Sequence, residues 1–253
     1  ACPQWNKINK HTPVHAVMTQ IVSAEEIKTI SVSELDVRIR KAFIYDDFAY
    51  QKEHGIIIDD KNRARGLHSI LYQCPHCKTE FMMYSEGSLL ICKHCNKTWE
   101  MTELGELKAV KGNTEFSHIP DWFAWERENV RNEIENGTYY FEDEIRLDTL
   151  PNARGFIHQP NGIMKQDING TYIEGTAYGR RFVLHKKPLD LESIHIEYDY
   201  KKKGDCIEIS ILDESYWCYP IHKRDVITKL SIATEEIYIA ERKIKRMEKE
   251  KVG

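Results

Sequence analysis

Four cysteines stand in two pairs of one form, Cys74-Pro75-His76-Cys77 and Cys92-Lys93-His94-Cys95, with fourteen residues between the pairs. Two residues between paired cysteines let both thiolates turn toward one centre, where the amides of a tight turn help to neutralise them. Two such pairs supply four sulfurs, the donor type and number that tetrahedral Zn²⁺ prefers. The spacing predicts a zinc ribbon with structural Zn²⁺ held by Cys74, Cys77, Cys92 and Cys95. A closed four-sulfur shell has no open position for water, so the metal is expected to hold structure and not to catalyse. A redox reading of Cys-x-x-Cys is weaker, because both pairs fit one metal site. His76 and His94 lie inside the pairs and are expected to be exposed polar residues, leaving the metal to the thiolates.

The ribbon needs strands, and Tyr72 before the first pair and Trp99 after the second are read as belonging to them. Upstream, Pro3 and Pro13 punctuate short extended segments, with Val14 to Met18 a candidate strand. Ser23 with Glu26, and Ser31 with Glu34, match the capping-box pattern. The second opens a helix carrying Leu35, Ile39 and Ala42 on one stripe, expected to reach Gln51, with Gly55 as terminator. After the ribbon, Pro120 and Asp121 suit a helix N-terminus. The helix they open carries Trp122, Phe123, Trp125, Val130 and Ile134 on an apolar side, its aromatics expected to pack in the core or between domains, and Gly137 ends it.

From Thr138 to Pro220 the period changes to two. Short runs around Phe141, Phe156, Tyr172, Val183, His195, Ile207 and Trp217 alternate with turn signals such as Pro160-Asn161-Gly162, Asn169-Gly170, Lys203-Gly204-Asp205 and Asp213-Glu214-Ser215. Such spacing predicts an antiparallel sandwich or barrel. A closing helix follows from about Asp225, with Val226, Leu230, Ala233, Ile237, Ala240, Ile244 and Met247 on one stripe. The expected fold class is α+β: a zinc ribbon plus an antiparallel, pleckstrin-homology-like β-barrel with a C-terminal amphipathic helix plugging one open end. The parts are residues 1–66, strands and helices; 67–112, the ribbon; 113–137, a linking helix; and 138–253, the barrel with its helix.

Composition narrows the classes. The 253 residues carry 36 basic and 40 acidic side chains, a net charge of −4, which argues against grip on nucleic acid by bulk charge. Lys78, Lys93 and Lys97 stand beside Glu80, Glu86 and Glu100, so the ribbon has no basic stripe either. No apolar run approaches a bilayer span. Of the seven cysteines, Cys2, Cys206 and Cys218 are scattered, unlike a secreted disulfide framework. Free thiols imply a reducing, intracellular compartment. Ala1 opens the chain without methionine or signal, so it is expected to be a piece of something longer.

Pro3-Gln4-Trp5 and Pro13-Val14-His15-Ala16-Val17 resemble the closing strands of bacterial glycerolipid acyltransferases of the lysophosphatidate type. Ser31 to Leu35 and Tyr45 to Gln51 resemble the tail of that catalytic domain. The ribbon and Ile119 to Glu126 resemble a C-terminal extension carried by some members. The resemblance implies acyl transfer from a thioester carrier to lysophosphatidate, through a His-x4-Asp motif and a later phosphate-gripping Phe-Pro-Glu-Gly-Thr-Arg stretch. His54 with Asp59 and His185 with Asp190 have the first spacing but none of its company. Glu174-Gly175-Thr176 is the nearest match to the second, with Ala177 in place of the arginine. The true motif is therefore expected upstream of Ala1, the chain itself being a non-catalytic accessory region inactive alone.

Lysines and arginines at strand ends and turns, Arg180, Arg181, Lys186, Lys187, Lys201, Lys202 and Lys203, are the candidate contacts with anionic lipid headgroups. The basic end of the last helix, Arg242 to Lys251, is a second candidate for an anionic membrane surface. Residues 121–149 hold nine acids against three bases and are expected to form a solvated, anion-repelling face. The expected partners are the upstream acyltransferase domain and an anionic membrane, with a cytoplasmic or peripheral-membrane location. The alternative is a stand-alone zinc-ribbon module that binds protein or nucleic acid.

Overall fold

A computed structural model describes residues 16–151 and 155–252, with side chains of the last helix described to Glu250. Cys2, Pro3 to Trp5 and Pro13 to His15 lie outside the described residues. Of the candidate strand at Val14 to Met18, residues 16–18 have no regular secondary structure.

The capping signals act as their spacing requires. The Ser23 amide donates to Glu26 Oε2 at 3.0 Å and the Glu26 amide to Ser23 Oγ at 3.2 Å, opening a single turn of 3-10 helix. The Ser31 hydroxyl accepts from the Glu34 amide at 3.1 Å and starts α1, Val32–Ala42. The expected run to Gln51 is divided, however. Asp46 caps a new helix, α2 (Asp47–Glu53), by accepting from the Ala49 amide at 2.9 Å. Its other carboxylate oxygen lies 2.6 Å from His118 Nε2. A residue whose side chain takes both a helix N-terminus and a distant histidine cannot also continue α1, so the chain turns there.

Two antiparallel sheets follow. The first is a meander of β1 (Met83–Glu86), β2 (Leu89–Cys92), β3 (Thr98–Met101) and β4 (Leu107–Ala109). Helix α3, Ile119–Glu135, carries Pro120 and Asp121 in its first turn and packs Ile119 and Trp122 onto this sheet beside Leu90 and Trp99. Trp122 meets Trp99 edge-on with ring centroids 4.9 Å apart. Ala64, Leu67 and Leu71, from the stretch before the first cysteine pair, complete the same core.

The second sheet holds β5 (Phe141–Thr149), β6 (Ile157–Asp167), β7 (Gly170–Ala177), β8 (Arg180–Lys186), β9 (His195–Glu197), β10 (Cys206–Ser210) and β11 (Ser215–Pro220), in the order β8-β7-β6-β5-β11-β10-β9. Strands β8 and β9 are its two edges and do not pair with each other. The expected closed barrel is thus corrected to an open seven-stranded sheet. The reason lies in α4, Ile227–Val252: Val226, Ile227 and Leu230 cover Ile145, Leu147, Met164, Ile173, Ile207 and Ile209 on the inner face. A helix already shields these side chains from water, so the core forms without strand closure.

Pro160-Asn161-Gly162 is not the turn its composition suggests. It lies inside the eleven-residue β6, where the register against β5 slips between Ile145 and Leu147. Proline lacks a ladder donor and is tolerated within a sheet at such a bulge. The hairpin after β6 does turn at Asn169-Gly170. Gly170 has φ +113°, and an added Cβ would lie 2.1 Å from the Lys186 carbonyl oxygen. Gly170→Ala is expected to cost about 2–3 kcal/mol, read from the urea midpoint.

Helix α4 serves two cores. Beyond Leu230, its Ile232, Ala233 and Ile237 pack with Tyr72, Val130, Ile134 and Tyr139, so α4 joins α3 and the ribbon in one cluster. Past Ile237 the apolar stripe runs into solvent, with Ile244 and Met247 nearly half exposed. No helix among the described residues is long and apolar enough to cross a membrane.

Candidate metal centre

The two cysteine pairs are held by matching turns. The Lys78 amide donates to the Cys74 carbonyl and the Asn96 amide to the Cys92 carbonyl, both at 2.8 Å. Lys78 and Asn96, each one residue past its pair, adopt left-handed backbones at φ +64° and +59°. The Cys74 and Cys92 amides return to the Thr79 and Lys97 carbonyls at 3.0 and 2.9 Å. The sequence repeat is therefore a repeat of backbone geometry.

These turns bring Cys74, Cys77, Cys92 and Cys95 together, with their sulfurs all within 4.8 Å of one another. Two of the separations are 3.8 Å (Cys74 to Cys95) and 3.7 Å (Cys77 to Cys92). Zinc–sulfur bonds of about 2.3 Å place the corners of a regular tetrahedron about 3.8 Å apart. The quartet fits a structural metal ion such as zinc, and Cys74 and Cys92 are fully buried. Burial pushes the Cys74 thiol up. Burial acts the same way on Cys77, but hydrogen bonding with the Thr79 hydroxyl and amide, together with His94 and Cys95, outweighs it and brings that thiol to about 5. His76 is exposed and turned to Glu115 at 3.2 Å.

The first pair is tied to α3 through Gln73, the residue before Cys74. Its amide donates to Glu126 Oε1 at 2.8 Å, its carbonyl accepts from the Trp122 indole at 3.0 Å, and its side-chain oxygen accepts from Asn129 at 2.7 Å. Glu126 is fully buried, and its other oxygen has no hydrogen-bond partner among the described residues. Burial holds its carboxyl well above the usual carboxylate range. Glu126 follows Trp122 and precedes Val130 by four residues each, so its place on the buried stripe of α3 was readable in the sequence.

The acids of residues 121–149 form the expected solvated face only in part: Asp121, Glu128, Glu135 and Glu144 are exposed. Glu126, Asp143 and Asp148 are buried. Asp148 is held below the usual range: burial would raise it, but Lys203 at 2.8 Å and His158 at 3.0 Å outweigh that. Glu133 faces Lys229 at 2.9 Å, and Lys229 also meets Glu80 at 2.8 Å, joining ribbon, α3 and α4. Glu236 of α4 takes Arg127 at 3.1 Å and Arg131 at 2.8 Å from α3. Sequence reasoning missed both clusters, because their members are far apart in the chain and each looks like an ordinary charged helix residue.

The seven basic candidates fall into three places. Arg180 and Arg181 begin β8, and Lys186 and Lys187 end it; Lys201 to Lys203 lie in the connection between β9 and β10. Arg181 is paired with Glu174, and Lys201 lies over the Phe156 ring at 4.3 Å. Neither His-x4-Asp pair forms a dyad. His54 stacks on Tyr50 and contacts its carbonyl oxygen at 3.0 Å. His185 stacks on Tyr172 and contacts the Asn169 carbonyl oxygen at 2.9 Å, while Asp190 accepts from the Lys187 amide. Glu174-Gly175-Thr176 lies near the end of β7, lining a groove shared with Glu142, Asp143, Glu144 and the Arg181 that pairs with Glu174. A scan against protein-family models matches none, and a search of curated proteins finds no match.

Proposed function

We propose that this chain is a zinc-stabilised, non-catalytic accessory region of a glycerophospholipid acyltransferase. On this reading its seven-stranded unit is pleckstrin-homology-like and docks the enzyme on an anionic membrane surface in the cytoplasm. The observation that carries the accessory reading is the closed sulfur quartet. Four thiolates fill a tetrahedral shell, so the metal holds the ribbon together and has no position for a substrate. The engagement of His54 and His185 with partners other than Asp59 and Asp190 supports the same reading, because a catalytic histidine needs its aspartate as orienter.

Seven antiparallel strands followed by a helix over the inner face support the docking unit, by analogy of architecture. Helix α1 supports an attached partner domain. It buries no residue, and Val37, Phe43, Ile44 and Tyr45 in and just after it stand in solvent, where the resemblance puts the acyltransferase domain.

The test is co-sedimentation with vesicles. Binding is expected to anionic and not to zwitterionic vesicles, to weaken with salt, and to fall at least about tenfold in Arg180→Glu/Arg181→Glu, since each basic residue near such a surface contributes about 1 kcal/mol. Binding absent at low salt overturns the docking role. Acyl transfer to lysophosphatidate by the chain alone, lost on His54→Ala or His185→Ala, overturns the non-catalytic one.

A further inference from the structure

Where β11 runs into α4, the connection from β9 to β10 leans over it and encloses a cleft of about 540 Å³. That is the size of a small-ligand site. We infer that this cleft binds a phosphate monoester, through Lys202 and Arg224 with Arg146 and Lys223 behind them. The site is separate from Arg180 and Arg181 and goes beyond the docking role proposed above.

The charges in the cleft are unequally committed. Lys203 points away to Asp148 at 2.8 Å. Arg146 is fixed by stacking on Tyr219 at 4.2 Å and by one donation to the Lys203 carbonyl at 2.8 Å. Its remaining N–H groups form a preset fork suited to an oxyanion. The Lys223 ammonium lies over the Phe141 ring at 5.1 Å and also acts on the Glu142 carboxylate. Lys202 and Arg224 have no ion pair among the described residues. Three aspartates, Asp199, Asp205 and Asp225, share the lining with these cations; Asp205 accepts from the Asp199 amide at 2.8 Å, and Asp225 faces His68 at 3.9 Å.

Two further observations mark the same place. Asp199, Lys201 and Lys202 have left-handed backbones at φ +45°, +50° and +62°. Side chains rarely adopt this conformation, and clustered strain of this kind accompanies ligand sites. Tyr219 lines the cleft at 3% exposure, and among the described residues its buried hydroxyl has no hydrogen-bond partner beyond a weak contact with the Cys206 thiol. Ammonium and guanidinium groups lining one cleft suit a compact dianion. A nucleic-acid backbone would need an open basic track, which the three aspartates interrupt.

The test is an amide NMR titration of the full chain, first with inorganic phosphate and glycerol 3-phosphate, then with vesicles containing phosphatidate or, as control, phosphatidylglycerol. Shifts confined to residues 199–205 and 219–227 are expected, with Lys202→Gln/Arg224→Gln weakening the interaction about tenfold or more. Saturation by the soluble esters assigns the site to a free phosphate. A response to phosphatidate vesicles alone assigns it to a lipid headgroup. No response in either arm, or equal binding by the double variant with its fold intact by circular dichroism, overturns the site. Arg180→Gln/Arg181→Gln leaves phosphate binding unchanged while reducing binding to phosphatidylglycerol vesicles, so failure of the docking role and failure of this site are read separately.

Discussion

Cys77→Ser/Cys95→Ser is expected to unfold the four-stranded sheet and to release the metal. Structural zinc supplies about 10–16 kcal/mol of apparent folding free energy to small sites. Whole domains keep only about 5–15 kcal/mol in reserve. The loss does not stop at the ribbon, because Gln73 bonds α3 at three points and α3 walls off one face of α4. The outcome is read as metal per chain, one for the parent and none for the variant, together with loss of the cooperative urea transition. An unchanged transition in metal-free variant protein would remove the structural role of the quartet.

Lys229→Met is expected to have the next largest effect, about 3 kcal/mol, by removing a cation set between two half-buried carboxylates. Lys229 Nζ meets both oxygens of Glu80, at 2.8 and 2.9 Å, and Glu133 at 2.9 Å. Burial already raises Glu80 above the usual carboxylate range, with Lys229 opposing it. Without the ammonium that carboxyl rises further in the folded state. An acid whose folded pKa is raised binds protons more tightly folded than unfolded, so its contribution is favourable at low pH and is lost as the pH rises through the folded value. The destabilisation should therefore be full at neutral pH and shrink in mild acid. Urea midpoints of both proteins at the two pH values check this; a deficit that grows in acid would contradict it.

What the sequence made legible was whatever rests on local spacing. The cysteine repeat located the sulfur quartet, because two residues between ligands dictate the turn that aims them. Ser23, Ser31, Pro120 and the apolar stripe of α4 marked helix starts and a buried face, each through interactions within a few residues. Tertiary competition hid the rest. Asp46 ends α1 because it is shared with His118, seventy-two positions away. Pro160 reads as a turn until the bulge opposite Arg146 accommodates it. Closure of the second sheet depended on whether a helix or a strand would cover its apolar face, and no local pattern encodes that choice. The positions of the seven basic candidates at strand ends and turns say nothing of ion pairs made across the fold, such as that of Lys203 with Asp148.

An open sheet has consequences for how copies of the protein meet one another. Strand β8 is an edge, so it presents unpaired amides and carbonyls to any strand that comes alongside, with Val183 exposed at its middle. Such an edge is a template for self-association unless charge discourages it. Arg180 and Arg181 at one end, and Lys186 and Lys187 at the other, set like charges against a second copy aligning there. Charge of one sign at both ends of an exposed edge disfavours pairing between copies, whatever else these residues contact.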